Sequence, residues 1–422
     1  MKKVEIPRFW YNVLPHLNAP LAPPIDVVDE NGSRIEIIKK IRPRALQLQD
    51  ESDEEWIGIP DEVLEAYEQI GRPTPLVRAI QLEKYLGTPA KIFLKREDVL
   101  PTGSFKLNTS IAQAYFAKKE GIKGLVSETG AGQWGTSLAF AANQFGLDSR
   151  IFWVKVSYEQ KPYRVLQAKL LGAEVVPSPS EMTSAGREIL KKDPQSPGSI
   201  GTGISEAIDF ALHNDSYKYV SGSNLPHVLL HQSVIGLETK EQLLALGETP
   251  DVLVACVGGG SNLGGFMSPF IEDSRKKGLR LFGAESEAAP RLTKGEYKYD
   301  HSDPLGLTPK VLSYTLGMDY VPPPVHSGGL RQHNGSPVIG SWKNEGLLEA
   351  KAFSQEDAFE AGRLFAQYER AIPAPETNHA IKAVIDLALD CKKQQRKCNI
   401  VMCFSGSGLL DLSGYQKVLK NL

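Results

Sequence analysis

The feature that most constrains how this chain can fold is a series of short, continuously apolar runs, each followed by small or polar residues. They fall at 92–94, 124–126, 151–156, 175–176, 252–257, 281–284 and 400–404. Stretches with helical patterning lie between most of them, among them 108–119, 136–145, 163–171 and 227–246. A strand that is apolar on both faces needs cover on both faces, and helices crossing over between parallel strands provide it. The pattern predicts an α/β protein of two three-layer αβα domains with mostly parallel sheets. At 422 residues the chain is too long for one core. The expected division lies near Leu230, giving domains 1–230 and 231–422. No fixed-period repeat interrupts this organisation.

The first 70 residues or so differ in texture. Prolines 7, 15, 20, 23 and 24 forbid a long first helix, and the acidic run 50–55 reads as a solvated loop. Regular α/β patterning begins at Arg72-Pro73-Thr74-Pro75-Leu76. The segments 193–203 and 295–341 read as long surface loops. A net charge of −2 gives no sign of nucleic-acid or anionic-membrane binding. No apolar run approaches the roughly 20 residues of a membrane span, and residues 1–7 lack the apolar core of a signal peptide. Cys256, Cys391, Cys398 and Cys403 form no Cys-x-x-Cys pair, so neither a metal site nor a disulfide framework is expected. The expected setting is the reducing cytoplasm.

Four turns at the ends of apolar runs concentrate the candidate chemistry, and ligands of open α/β sheets bind at such ends. In the first, Pro101 and Gly103 break the chain and Ser104 can cap the following helix, which places Lys106 in its first turn. That electropositive position lowers the pKa of an amine and favours a lysine that carries pyridoxal phosphate over a solvated surface lysine. The second turn, Glu128-Thr129-Gly130-Ala131-Gly132-Gln133-Trp134-Gly135, offers backbone amides to a substrate carboxylate and Glu128 as an acid/base group. Its glycines also match a dinucleotide fingerprint. The ribose-binding acid expected after the next strand is missing, since that run ends in Lys155-Val156-Ser157, so a nicotinamide oxidoreductase is disfavoured.

The third turn, Val257-Gly258-Gly259-Gly260-Ser261-Asn262, brings backbone N–H groups close to a phosphate but is neither a P-loop nor a Rossmann fingerprint. The fourth holds Ser405, which can offer a hydroxyl to a heteroaromatic nitrogen. Upstream of it, Glu376 reads as a helix cap and His379 as structural.

Taken together and in order from about residue 71 to 408, these segments resemble the β chain of tryptophan synthase, among the fold-type II pyridoxal-phosphate enzymes. The most specific pieces are Glu-Thr-Gly-Ala-Gly-Gln at 128–133, Cys-Val-Gly-Gly-Gly-Ser-Asn at 256–262, and 376–380. The resemblance implies synthesis of L-tryptophan from indole and L-serine, with pyridoxal phosphate held between the domains. It implies that Lys106 is the Schiff-base lysine and proton shuttle, and that Glu128 is the acid/base carboxylate. Thr129, Gly130, Ala131, Gly132 and Gln133 would hold the substrate carboxylate. Gly258, Gly259, Gly260, Ser261 and Asn262 would bind the cofactor phosphate, Ser405 the ring nitrogen, and Glu376 would flank the ring. Asn108 would lie near the cofactor's 3′ oxygen, and Asp319 would contact the serine hydroxyl from a mobile loop. A serine at the ring nitrogen leaves a weaker electron sink than an aspartate, which suits β-elimination and β-addition.

Departures from the common form are Phe105 and Trp134, where histidines are usual, and a longer N-terminal arm. Both features resemble the divergent second type of the β chain, associated with serine or O-phospho-L-serine as donor. A homodimer, with or without an α chain, is the implied assembly. A fold-type II serine/threonine dehydratase, or an enzyme like threonine or cysteine synthase, is the alternative.

Overall fold

The computed structural model describes residues 4–30, 32–420 and 422. Two parallel sheets carry it. The smaller has four strands in the order Tyr217–Tyr219, Gly124–Thr129, Asp148–Val154, Glu174–Ser178, all parallel. The larger has six, in the order Leu348–Phe353, Arg280–Ser286, Val252–Cys256, Asn399–Phe404, Lys91–Arg96, Leu76–Arg78. Only its last pairing is antiparallel. Each of the seven apolar runs falls wholly or mostly in one of these strands, because a segment buried on both faces must be apolar throughout; every residue of Val252–Cys256 is buried.

Three strands escape the apolar-run criterion: Leu76–Arg78, Tyr217–Tyr219 and Leu348–Phe353. All lie at sheet edges, where one side faces solvent and the sequence turns polar. The run 151–156 is strand only to Val154, since Lys155–Gln160 is a helix. The loop 295–341 contains the antiparallel hairpin Glu296–Asp300 with Val311–Thr315. The loop 193–203 gives way at Ile200 to the helix Ile200–Leu212, opened by a Ser199–Thr202 capping box. In the acidic run, Asp50 is drawn inward: it pairs with Arg42 and accepts the backbone N–H of His227 at 2.8 Å.

The sheets do not divide the chain at residue 230. Leu76–Arg78 and Lys91–Arg96 pair in the sheet that the C-terminal half completes, and the helix Pro226–Leu246 runs through the expected boundary. The helix Leu107–Lys119, which follows Lys106, is buried over most of its length; Leu107, Ile111 and Ala114 share a core with Trp10 and Tyr67 of the N-terminal arm.

Beneath that helix lies a fully buried ion network. Arg72 donates to Glu97 at 3.0 Å and to Glu238 at 2.9 Å, and Lys95 donates to Glu238 at 2.6 Å. Arg72 also donates to Asn108 Oδ1 at 2.7 Å, and Thr74 Oγ1 to Glu97 at 2.6 Å. Removing one member leaves an uncompensated buried charge, so Glu238→Ala is expected to cost about 3–5 kcal/mol of unfolding free energy. Lys192→Ala, which breaks an exposed pair with Glu188, is expected to stay within error of the parent. Denaturant titration of both variants checks the contrast.

Candidate active site

The turns at the carboxyl ends of both sheets face one cavity. It is lined by Lys106, Glu128, Thr129, Gly130, Ala131, Gln133, Gly258, Gly259, Gly260, Ser261, Asn262, Glu376 and Ser405. Sequence reasoning thus identified most of the lining. Phe105 and Trp134 line the cavity as well, together with Gly222, Ser223, Cys256, Gly329 and Gln332. Ser223 and Gln332 went unnoticed because they sit in irregular segments; the one signal for the first was Ser-Gly-Ser-Asn directly after the apolar end of an edge strand.

Lys106 precedes the helix Leu107–Lys119, and Ser104 Oγ accepts its backbone N–H at 3.3 Å. Its Nζ donates to Gly222 O and, at 2.7 Å, to Ser261 Oγ. Burial pushes the amine down to about 7, against the opposing charges of Glu128, Cys256 and Glu376. Desolvation, rather than the helix dipole invoked from sequence, is the main cause. Glu128, next to last in Gly124–Thr129, shows the complementary effect: burial pushes its carboxyl up to about 7, although Tyr219 donates to Oε2 at 2.9 Å. An amine and a carboxyl in one cavity are therefore both poised near neutrality.

The turn after Glu128 is closely packed. Gly132 has φ +93°, and a Cβ there would lie 1.9 Å from Trp153. A Cβ on Gly130 would lie 2.8 Å from Gly328 O. Gly132 shapes this turn without lining the cavity, and the Thr129 hydroxyl accepts the N–H of Gly135 at 3.1 Å. Gln133 donates to Glu376 Oε2 at 3.0 Å, while Gly329 N donates to Glu376 Oε1 at 2.9 Å. One carboxylate therefore ties the second turn to the segment crossing the cavity mouth. Ser405 Oγ lies 2.8 Å from Thr377 Oγ1 and 3.5 Å from Cys256 Sγ.

Besides Gly132, two expected residues lie outside the lining. Asn108 is enclosed in the ion network: its Nδ2 donates to Glu97 and Gln232, both at 3.0 Å, and its Oδ1 accepts from Arg72. Its short side chain has no free polar atom to offer. Asp319 is exposed in the turn after Val311–Thr315 and lies outside the lining.

The donor set fits pyridoxal phosphate. Gly258, Gly259 and Gly260 admit no side chain: a Cβ would meet Gly329 O at 2.2 Å, Ser223 Oγ at 2.0 Å and Ile339 at 2.8 Å. Their backbone thus stays bare at the start of the helix Ser261–Met267, where N–H groups have no partner within the helix. Asn262 Oδ1 is buried without a hydrogen-bond partner among the described residues, and the low-pKa amine of Lys106 adjoins Ser261.

The sequence profile of the family described as "Pyridoxal-phosphate dependent enzyme" matches residues 67–406, which gives the class of protein. The tryptophan synthase beta chain 2 of Methanothermobacter thermautotrophicus is 51% identical over 418 residues, covering 99% of this chain and 97% of that one. The tryptophan synthase beta chain 1 of Sulfurisphaera tokodaii is 50% identical over 422 residues, covering 100% and 99%. An L-serine ammonia-lyase from Rhizomucor miehei superposes with a TM-score of 0.60 at 18% identity, covering 82% of this chain and 98% of that one, and shows the shared fold. Within the pyridoxal-phosphate-dependent enzymes, the chain belongs to the tryptophan synthase beta chains.

The depressed pKa of Lys106 has a thermodynamic sign. Between about 7 and the ordinary 10.5 the unfolded chain holds a proton on this amine that the folded chain has released. Stability of the cofactor-free protein should therefore gain a contribution from Lys106 as pH rises through that window. Lys106→Met should flatten the rise; denaturant titrations at several pH values between 7 and 10 measure the difference.

Proposed function

We propose that the chain synthesises L-tryptophan from indole and L-serine, using Lys106, Glu128 and the three flanking turns in one cavity. The observation that carries this is the convergence of an amine and a carboxyl, both shifted to about 7, on a space bounded by bare backbone. When bound, pyridoxal phosphate supplies an electron sink for the bonds at the amino acid's α-carbon. Lys106 would hold it, the Gly258–Asn262 backbone and Ser261 would receive its phosphate, and Ser405 would meet its ring nitrogen.

Lys106, neutral for much of the time at pH 7, can take the α-proton of the substrate. The turn from Thr129 to Gln133 orients the substrate carboxylate. Glu128 in its protonated form can give a proton to the departing hydroxyl, and as a carboxylate it can take the indole N–H proton. A group titrating near the working pH serves both roles with little bias.

Charge in the lining favours L-serine over O-phospho-L-serine. Lys106 is its one Lys or Arg, set against Glu128 and Glu376, whereas a phosphoester would bring further negative charge. A homodimer, with or without an α chain, and a cytoplasmic setting belong to the same proposal and rest on the family. No helix among the described residues is long and apolar enough to cross a membrane.

Purified protein loaded with pyridoxal phosphate is expected to form tryptophan from indole and L-serine faster than from indole and the phosphoester. Lys106→Ala should lose both the cofactor's yellow absorbance and the product. Release of pyruvate from serine with no consumption of indole would instead mark a dehydratase.

A further inference from the structure

We propose that Tyr219 is the positioning residue of the acid/base carboxylate: its phenol holds Glu128 Oε2 and leaves Oε1 as the oxygen that meets the substrate. This rests on the role given to Glu128 above. Tyr219 ends the edge strand Tyr217–Tyr219 and pairs with Val126, so its position is fixed by the sheet that also carries Glu128. Its O–H donates to Glu128 Oε2 at 2.9 Å.

Among the described residues, no other side chain near Glu128 does the same. Ser127 Oγ lies 3.5 Å from Oε2, but a hydroxyl has one proton, and that of Ser127 goes to Val220 O while the oxygen accepts from Trp134 Nε1. Behind the carboxylate, the helix Ile200–Leu212 passes so close that a Cβ on Gly203 would lie 2.8 Å from Glu128 Cβ. The side chain is therefore walled on that side and held at one oxygen, while Glu128 also lines the cavity. Tyr219 in turn lines a neighbouring cavity of about 370 Å³, walled by Ile35, Ile38, Leu225 and Val311 among others.

The charged groups around this pair are few. Lys106 faces Glu128 across the site, and Arg42 acts on Tyr219. Lys39, Asp50 and Glu51 border the apolar cavity, with Asp50 already paired to Arg42. His333 adjoins Glu128 in a small polar pocket, where burial lowers its pKa and keeps it neutral. Among them Tyr219 is the direct donor. It stabilises the ionised carboxylate, in opposition to burial.

The test uses holoprotein labelled with 13C-carboxyl glutamate and infrared titration of the band that Glu128→Gln abolishes. That band is expected to titrate near 7 in the parent and about one pH unit higher in Tyr219→Phe, which loses one oxygen and no volume. The acid limb of kcat/KM for indole should move by the same amount, and KM for serine should hold. Ser127→Ala should leave the band in place. An unmoved band in Tyr219→Phe, or an equal movement in Ser127→Ala, overturns the proposal. Full synthesis by Glu128→Gln would instead overturn the role of Glu128 and leave the infrared result intact.

Discussion

The structure depends on four buried charges beneath the active-site helix. Arg72 comes from the segment before the large sheet, Lys95 from the strand Lys91–Arg96, Glu97 from the turn that follows it, and Glu238 from the long helix Pro226–Leu246. Two positive and two negative side chains, each removed from water, are tolerable only as a complete set. They fix where the strand ends, and Arg72 also fixes Asn108 two residues beyond Lys106. Lys106 is thus placed by a contact made outside the cavity that it lines.

The cavity works by the opposite device. It withholds compensation from Lys106 and Glu128, so burial drives the amine down and the carboxyl up until both sit near neutral pH. Complete pairing, as in the network below, would have pinned each in its charged form. The same chain therefore neutralises buried charge fully in one place and leaves it poised in another some residues away.

Much of this was legible in the residues alone. Strands buried on both faces announce themselves as apolar runs, and turns that need bare backbone announce themselves as glycines, so the large-sheet interior and the turn at Gly258–Gly260 were readable. Edge strands such as Leu348–Phe353 were not, because solvent on one side makes their composition resemble loops. Asn108 and Asp319 show the limit of carrying roles along a sequence. Local spacing places a residue near a motif, yet the burial of Asn108 among charges and the exposure of Asp319 are set by distant segments. Tyr219 was hidden for the same reason: nothing about a tyrosine in a short strand says which carboxylate lies beside it.

The strand order of the large sheet also governs the order in which the protein can be made. Asn399–Phe404 lies between Lys91–Arg96 and Val252–Cys256, so the strand joining the early pair to the later ones leaves the ribosome after both of its neighbours. The four-stranded sheet is complete by Tyr219 and can form while translation continues. The nascent chain must carry Lys91–Arg96 without its parallel neighbour for about 300 residues of elongation at roughly 5–20 residues per second. For tens of seconds, then, an apolar strand edge is exposed to chaperones and to other nascent chains, and the cavity cannot close until Asn399–Phe404 and Ser405 arrive.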